Sequence, residues 1–249
     1  MTRRILAAAL ALLGSAAPSF ADTITLFSSV AIRTVVEDVA QRFERETGHK
    51  VAATFGLAAA LKDRVEKGDA YDVAILTPAQ IDNLIAQGKA AKASRVVIAR
   101  TGLGFMVRAA APKLDVSTID AFKRTLLEAQ SLTYAPAGAS GVAFQATLKQ
   151  LGLADAVAAK TKTPAQGQDM NATVTSGAVQ MAVLPVSEIL PVPGAALGGV
   201  FPAAAQTYIV MAGATSNTAS DAARAFLARL MAPSSDAVVT ARGMERVKP

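Results

Sequence analysis

From Ile24 onward the chain alternates short apolar runs with segments of helical repeat, and this alternation most narrows the folds open to it. Ile24–Phe27 reads as a buried strand. Ile32, Val36, Val39 and Phe43 follow at spacings of four, three and four, one face of a helix that Gly48 is placed to close. Lys50–Phe55 reads as a second strand and Leu57–Lys67 as a second helix, with Gly68 just beyond it. Tyr71–Leu76 is a third strand. Pro78 then stands where the first turn of a helix tolerates proline, and that helix runs to about Gln87. Strand and helix, three times over, is the pattern of a parallel sheet with helices on both faces.

The middle of the chain repeats the arrangement. Arg95–Arg100 and Phe105–Ala109 are strands, separated by Thr101-Gly102-Leu103-Gly104, a break suited to a crossing between lobes. A helix over Thr118–Ala129, a strand over Ser131–Tyr134 and a helix over Gly141–Leu151, opened by Ser140, come next. Helical stretches at Leu153–Lys160 and Asp169–Ser176 precede a buried strand, Val179–Leu184. Pro185–Gly199 reads mostly as loop, Thr207–Ala212 as strand, and Thr218–Met231 and Ser234–Arg242 as the last helices. The length exceeds one doubly wound unit, so the expected fold is α/β with two doubly wound lobes joined by a hinge. Lobe I takes residues 22–101 plus 207–249, and lobe II residues 102–206. Ligands of such folds sit in the cleft between lobes.

The residue inventory removes whole classes of chemistry. The chain has no cysteine, which excludes disulfides, thiolate nucleophiles and iron–sulfur clusters. One histidine, His49, excludes any two-histidine metal site within the chain, so neither metal nor cofactor is expected. His49 lies in a turn away from every strand end, and Asp72, opening a buried strand, reads as structural. At the other end of the argument, Arg3-Arg4, the apolar run Ile5–Leu13 and Ser19-Phe20-Ala21 form an export signal cut after Ala21. That run is short of the roughly 20 residues a membrane span requires. The expected location is therefore the periplasm. The net charge of +6 invites a nucleic-acid reading. Against it, the basic residues are scattered beside acids, and aromatic residues make up only 5%.

In an open parallel sheet the ligand sits beyond the carboxyl ends of the strands, against helix N-termini. Three places join a strand end to a helix start. Ser28-Ser29 ends the first strand, where serine caps the helix and free N–H groups favour an anion. Pro136-Ala137-Gly138-Ala139-Ser140-Gly141 follows the Tyr134 strand, and its small residues let backbone approach a solute. Its glycine spacing is not that of a phosphate loop, and no lysine follows. Pro185-Val186-Ser187-Glu188 ends the Val179–Leu184 strand. There Glu188 reads as a base, as a partner for a ligand hydroxyl, or as a solvated carboxylate at a helix start. The loop after the second strand, Gly56-Leu57-Ala58-Ala59, offers only backbone N–H groups, at Ala58 and its neighbours, and an apolar wall.

The order of these pieces resembles the periplasmic molybdate-binding proteins of ABC importers, a branch of the type II solute-binding fold that also includes an aconitate isomerase. The resemblance runs through Ile24–Ser29, Phe55-Gly56, Glu66–Asp69 with Tyr71-Asp72-Val73, Ser140-Gly141 to Leu151-Gly152, and Val183 to Ser187-Glu188. It implies a small dianion held by neutral hydroxyl and amide donors, with Ser28 or Ser29 as the first-loop serine and Ser140 as the donor of the second lobe. Two of that family's donors are replaced here. The second-loop serine gives way to Leu57-Ala58-Ala59, and the tyrosine after the late strand to Pro185. These changes favour an organic carboxylate over molybdate. The expectation is an exported, monomeric binding protein that holds a small anion through Ser28, Ser29, Ala58, Ser140, Gly141 and Ser187 and delivers it to a membrane permease. The alternative is an aconitate-type isomerase in which Glu188 moves an allylic proton.

Overall fold

Strand β1 (Thr23–Ser29) leads through one 3-10 turn, Val30–Ile32, into helix α1 (Arg33–Thr47). The expected helical face is the buried one. Ile32, Val36, Val39 and Phe43 are no more than 2% exposed, and Phe43 meets Phe226 edge-on at 5.4 Å between ring centres. Gly48 ends the helix with φ +79°, a left-handed conformation that costs glycine nothing, and its N–H donates to the Glu44 carbonyl at 2.9 Å. The computed structural model describes residues 21–163 and 169–247. The export signal expected at residues 1–21 lies, but for Ala21, outside the described residues.

The chain continues through β2 (Lys50–Gly56), α2 (Ala58–Glu66), β3 (Val73–Leu76), α3 (Pro78–Ala86) and β4 (Val96–Thr101). It then forms β5 (Leu103–Arg108), α4 (Ile119–Glu128), β6 (Leu132–Thr133), α5 (Ala139–Leu151), α6 (Ala154–Ala158) and α7 (Met170–Thr175). After these come β7 (Met181–Pro185), the single-turn helix α8 (Val186–Ile189), β8 (Ala195–Val200), β9 (Ile209–Thr215), α9 (Asp221–Met231) and α10 (Asp236–Ala241).

The strands form two sheets, ordered β2-β1-β3-β9-β4 and β6-β7-β5-β8. Neither is wholly parallel, contrary to the pattern read from the sequence. In the first, β9 runs antiparallel to both β3 and β4; in the second, only the β6–β7 pair is parallel. The cause is the route of the chain. Only Gly102 separates β4 from β5, so the chain leaves the first sheet without a helical crossover and re-enters it beside β4 in the opposite direction.

Three local readings also change. The stretch taken as loop after Pro185 contains α8 and a full strand, β8. Its Gly198-Gly199 is a packing requirement rather than a break: a Cβ would lie 2.8 Å from Val107 Cγ1 at Gly198 and 2.6 Å from Val116 Cγ2 at Gly199. Ser140 does not open its helix. Gly138 is the N-cap of α5, and Ser140 is the second helical residue.

The second sheet is backed by a cluster of four phenylalanines, Phe105, Phe122, Phe144 and Phe201, with neighbouring ring centres 4.7 to 5.9 Å apart. The two chain crossings are lashed by one side chain. Gln206 Oε1 accepts the Leu103 N–H at 2.7 Å, while its Nε2 donates to the carbonyls of Leu103 (3.1 Å) and Phe201 (3.3 Å).

Gly141 lies in the first turn of α5, where alanine is ordinarily the better helix former by about 1 kcal/mol. Here a Cβ would fall 1.9 Å from the Ala135 carbonyl oxygen. Gly141→Ala is therefore expected to destabilise the protein by about 1–3 kcal/mol, read as a lower midpoint in thermal or urea unfolding. A midpoint unchanged or raised would show that the 135–138 turn is free to withdraw.

Candidate functional site

Helix starts, rather than side-chain charges, define the place where the two sheets face each other. At the end of β1, Ser29 caps the 3-10 turn, its Oγ accepting the Ala31 N–H at 3.3 Å. At the end of β2, α2 begins after Leu57, which has no side chain able to cap it. From the second sheet, α5 begins after Gly138, again without a side-chain cap. The first N–H groups of both helices have no acceptor within their own helix and carry the positive end of its dipole. All three starts border one cavity of about 150 Å³, below the roughly 300–1,000 Å³ of sites for drug-sized ligands.

Ser29, Ala58, Ser140 and Glu188 line this cavity together, with Leu57, Met170, Leu184 and Ile209 supplying apolar wall. The Ser140 hydroxyl makes no hydrogen bond to any described residue, which leaves it to a guest. The other expected residues serve the surroundings. Ser28 is fully buried, and its hydroxyl donates to the Ser29 carbonyl at 3.3 Å. Gly141 lets α5 close on the Ala135 carbonyl. Ser187 is 4% exposed and donates to the Ala31 carbonyl at 2.6 Å, so its single proton is engaged within the protein. His49 and Asp72 act locally: His49 Nδ1 accepts the Asp22 N–H and Asp72 Oδ2 accepts the Thr25 N–H.

Glu188 is the one ionisable side chain lining the cavity. Burial pushes its carboxyl from 4.5 up to about 7, because no compensating cation stands beside it. It also borders an outer depression of about 610 Å³, whose other charged groups are Arg33, Glu37 and Asp169. Arg33 is engaged there by Glu37, Nε to Oε1, at 2.8 Å. Among the described residues no group of three or more His, Cys, Asp or Glu stands together as a metal site would require.

A larger hollow of about 700 Å³ lies between residues 91–96 and α9, with mostly apolar walls. The three helix starts and Glu188 do not open into it, so the smaller cavity is the candidate site despite its size. The apolar wall contributed by Met170 and Ile209 carried no sequence signal, since neither sits at a strand end followed by a helix start.

Comparison with known proteins identifies the family and the fold. The chain is 32% identical over 234 residues to an aconitate isomerase of a Pseudomonas species, covering 90% of this chain and 88% of that one. The fold is shared with the periplasmic molybdate-binding protein of Azotobacter vinelandii at a TM-score of 0.75 and 20% identity, over 90% of this chain and 100% of that one. A sulfate-binding protein of Mycobacterium tuberculosis matches at a TM-score of 0.68 and 16% identity, over 92% of this chain and 88% of that one. Residues 24–245 match, almost from the first strand to the last bridge, the family described as bacterial extracellular solute-binding protein, and the chain belongs to that family.

Proposed function

We propose that the cavity holds a small unsaturated di- or tricarboxylate of the aconitate class and that Glu188 moves its allylic proton, making the protein an isomerase. The observation that carries this reading is Glu188, a residue lining the cavity, whose carboxyl has its affinity for a proton raised to about 7. At that value the carboxyl is present in both forms near neutrality and can take up a proton as well as return one. A general base works best when its pKa lies near the working pH, and about 7 meets that condition. The relative with 32% identity, an aconitate isomerase, supports the same reading.

The step balances without a cofactor. Ionised Glu188 takes a proton from the methylene next to the carbon–carbon double bond, and the electron pair spreads over the allyl unit into an adjoining carboxylate. The resulting Glu188 carboxylic acid returns the proton to the far allylic carbon, and the double bond has moved. Charge grows on the substrate carboxylate in between. The N–H groups at the starts of α2 and α5, with the Ser140 and Ser29 hydroxyls, are oriented to stabilise it without reorganisation. In this reading the lobes are residues 22–101 with 207–249, and 102–206, hinged at Gly102 and the 201–208 return. Residues 1–21 are the cleaved export signal, and the protein works as a periplasmic monomer.

A second reading keeps the same cleft for capture and delivery of an anion to a membrane permease. The uncapped helix starts and the molybdate- and sulfate-binding structural relatives favour it. Incubation with cis- or trans-aconitate separates the two. We expect interconversion, and in Glu188→Gln a loss of about 10²–10⁴-fold in kcat with calorimetric binding retained. Binding of aconitate without turnover in the native protein would return the protein to the transport reading.

Replacing Ser140 by alanine is expected to weaken binding of the carboxylate about tenfold or more, the effect of one hydrogen bond to a charged group. Unchanged affinity by calorimetry would remove Ser140 from the site.

Because the folded protein binds the Glu188 proton more tightly than the unfolded chain does, its stability falls as pH rises from about 4.5 to about 7, then levels off. That component of the pH dependence of Tm in ligand-free protein is expected to vanish in Glu188→Gln. An identical Tm profile in the two proteins would contradict the raised proton affinity.

A further inference from the structure

We propose that Ser187 and Thr101 are positioning residues: a buried pair of hydroxyls that fixes the single turn carrying Glu188 against the segment carrying Ser29. The inference rests on the role given to Glu188 above, and it concerns how that side chain is kept in register with the helix starts.

Helix α8 has only four residues, too few to hold its own shape, so its geometry is set by what it is tied to. Pro185 before it has no N–H. Two backbone N–H groups of α8 are taken up at the hinge: that of Val186 by the Gly102 carbonyl at 2.9 Å, and that of Ser187 by Thr101 Oγ1 at 3.3 Å. Thr101 Oγ1 passes its own proton to the Gly243 carbonyl at 2.9 Å. The Ser187 hydroxyl reaches the other way, to the Ala31 carbonyl at 2.6 Å, in the 3-10 turn that Ser29 caps. Both hydroxyls are buried, Thr101 at 1% and Ser187 at 4% exposure. Four separate parts of the chain therefore meet on the residue next to Glu188: the end of β4, the turn after β1, the C-terminal segment and α8.

Among the described residues no side chain bonds Glu188, and the described contacts that fix α8 are those of its backbone and of Ser187. The charged groups around it are Arg33 and Glu37 on α1, already paired with each other, and Asp169 at the start of α7. None of them bonds Glu188. The hydroxyl pair constrains the backbone that carries Glu188. It also accounts for Ser187 giving its proton to a carbonyl on the opposite sheet's side of the cleft instead of to the ligand.

The test uses Ser187→Ala and Thr101→Val, the second keeping the shape of threonine while deleting its hydroxyl, with Thr101→Ser as the conservative control. The expected result is a fall in kcat of about tenfold or more for both deletions with KM altered less than about threefold, as misplacement of a reacting group produces. Thr101→Ser should restore kcat. An independent readout is the carbon-13 NMR titration of the Glu188 carboxyl, identified by its absence in Glu188→Gln. In the native protein it should titrate near neutrality. In both deletion variants, as α8 loosens and water reaches the carboxyl, the titration should move toward the ordinary carboxylate range by about one pH unit or more. A titration left in place in Ser187→Ala and in Thr101→Val overturns the inference, whether or not aconitate is turned over. A shifted titration in a protein that never interconverts aconitate supports the positioning role and sinks the isomerase instead.

Discussion

Helix starts leave N–H groups that must find acceptors, and two of the three that converge here have no cap of their own. The arrangement of the molecule follows from that unsatisfied demand. β1 and β2 end in register at Ser29 and Gly56, and the starts that follow them border the same cavity as the start of α5 from the other sheet. In the reading proposed above, a negative guest there completes hydrogen bonding that the uncapped starts lack. No lysine or arginine lines the inner cavity, and none is required, since a set of oriented amides in a dry space stabilises charge well.

Into this setting the sequence inserts one acidic side chain. Glu188 lines the same cavity as these helix starts, and desolvation raises its carboxyl to about 7. Oriented N–H groups to receive developing charge, and a carboxyl able to lend and recover a proton, are complementary requirements of isomerisation next to a carboxylate. A site for simple capture requires only the first. In the reading proposed above, the distinction between carrying a solute and transforming it rests on Glu188 in α8.

Much of this architecture was legible beforehand. The face Ile32–Val36–Val39–Phe43, the closing glycine at 48 and the proline at 78 were read correctly, because each depends on local spacing or a local backbone preference. The structure places Ser29, Ala58 and Ser140, three of the residues picked by a local rule about strand ends, around one cavity together with Glu188. What escaped depended on distant neighbours. The direction of β9 is set by β3 and β4, and β8 looked like loop because Gly198 and Gly199 are dictated by Val107 and Val116. The bond from the Ser187 hydroxyl to the Ala31 carbonyl was likewise invisible, because nothing in its surroundings along the chain announces that partner.

The antiparallel seat of β9 between β3 and β4 has a further meaning for how the chain acquires its shape. Until residues 209–215 arrive, the amino-terminal sheet is a row of slats with one missing from the middle, and β4 has no neighbour to lie against. The first hundred residues therefore cannot finish their own sheet, however soon they emerge. Completion waits for a contact across more than a hundred positions, the kind of long-range closure that makes folding slow. The segment that seals the first half lies beyond the whole of the second sheet along the chain, which ties the maturation of both halves to a single long-range contact.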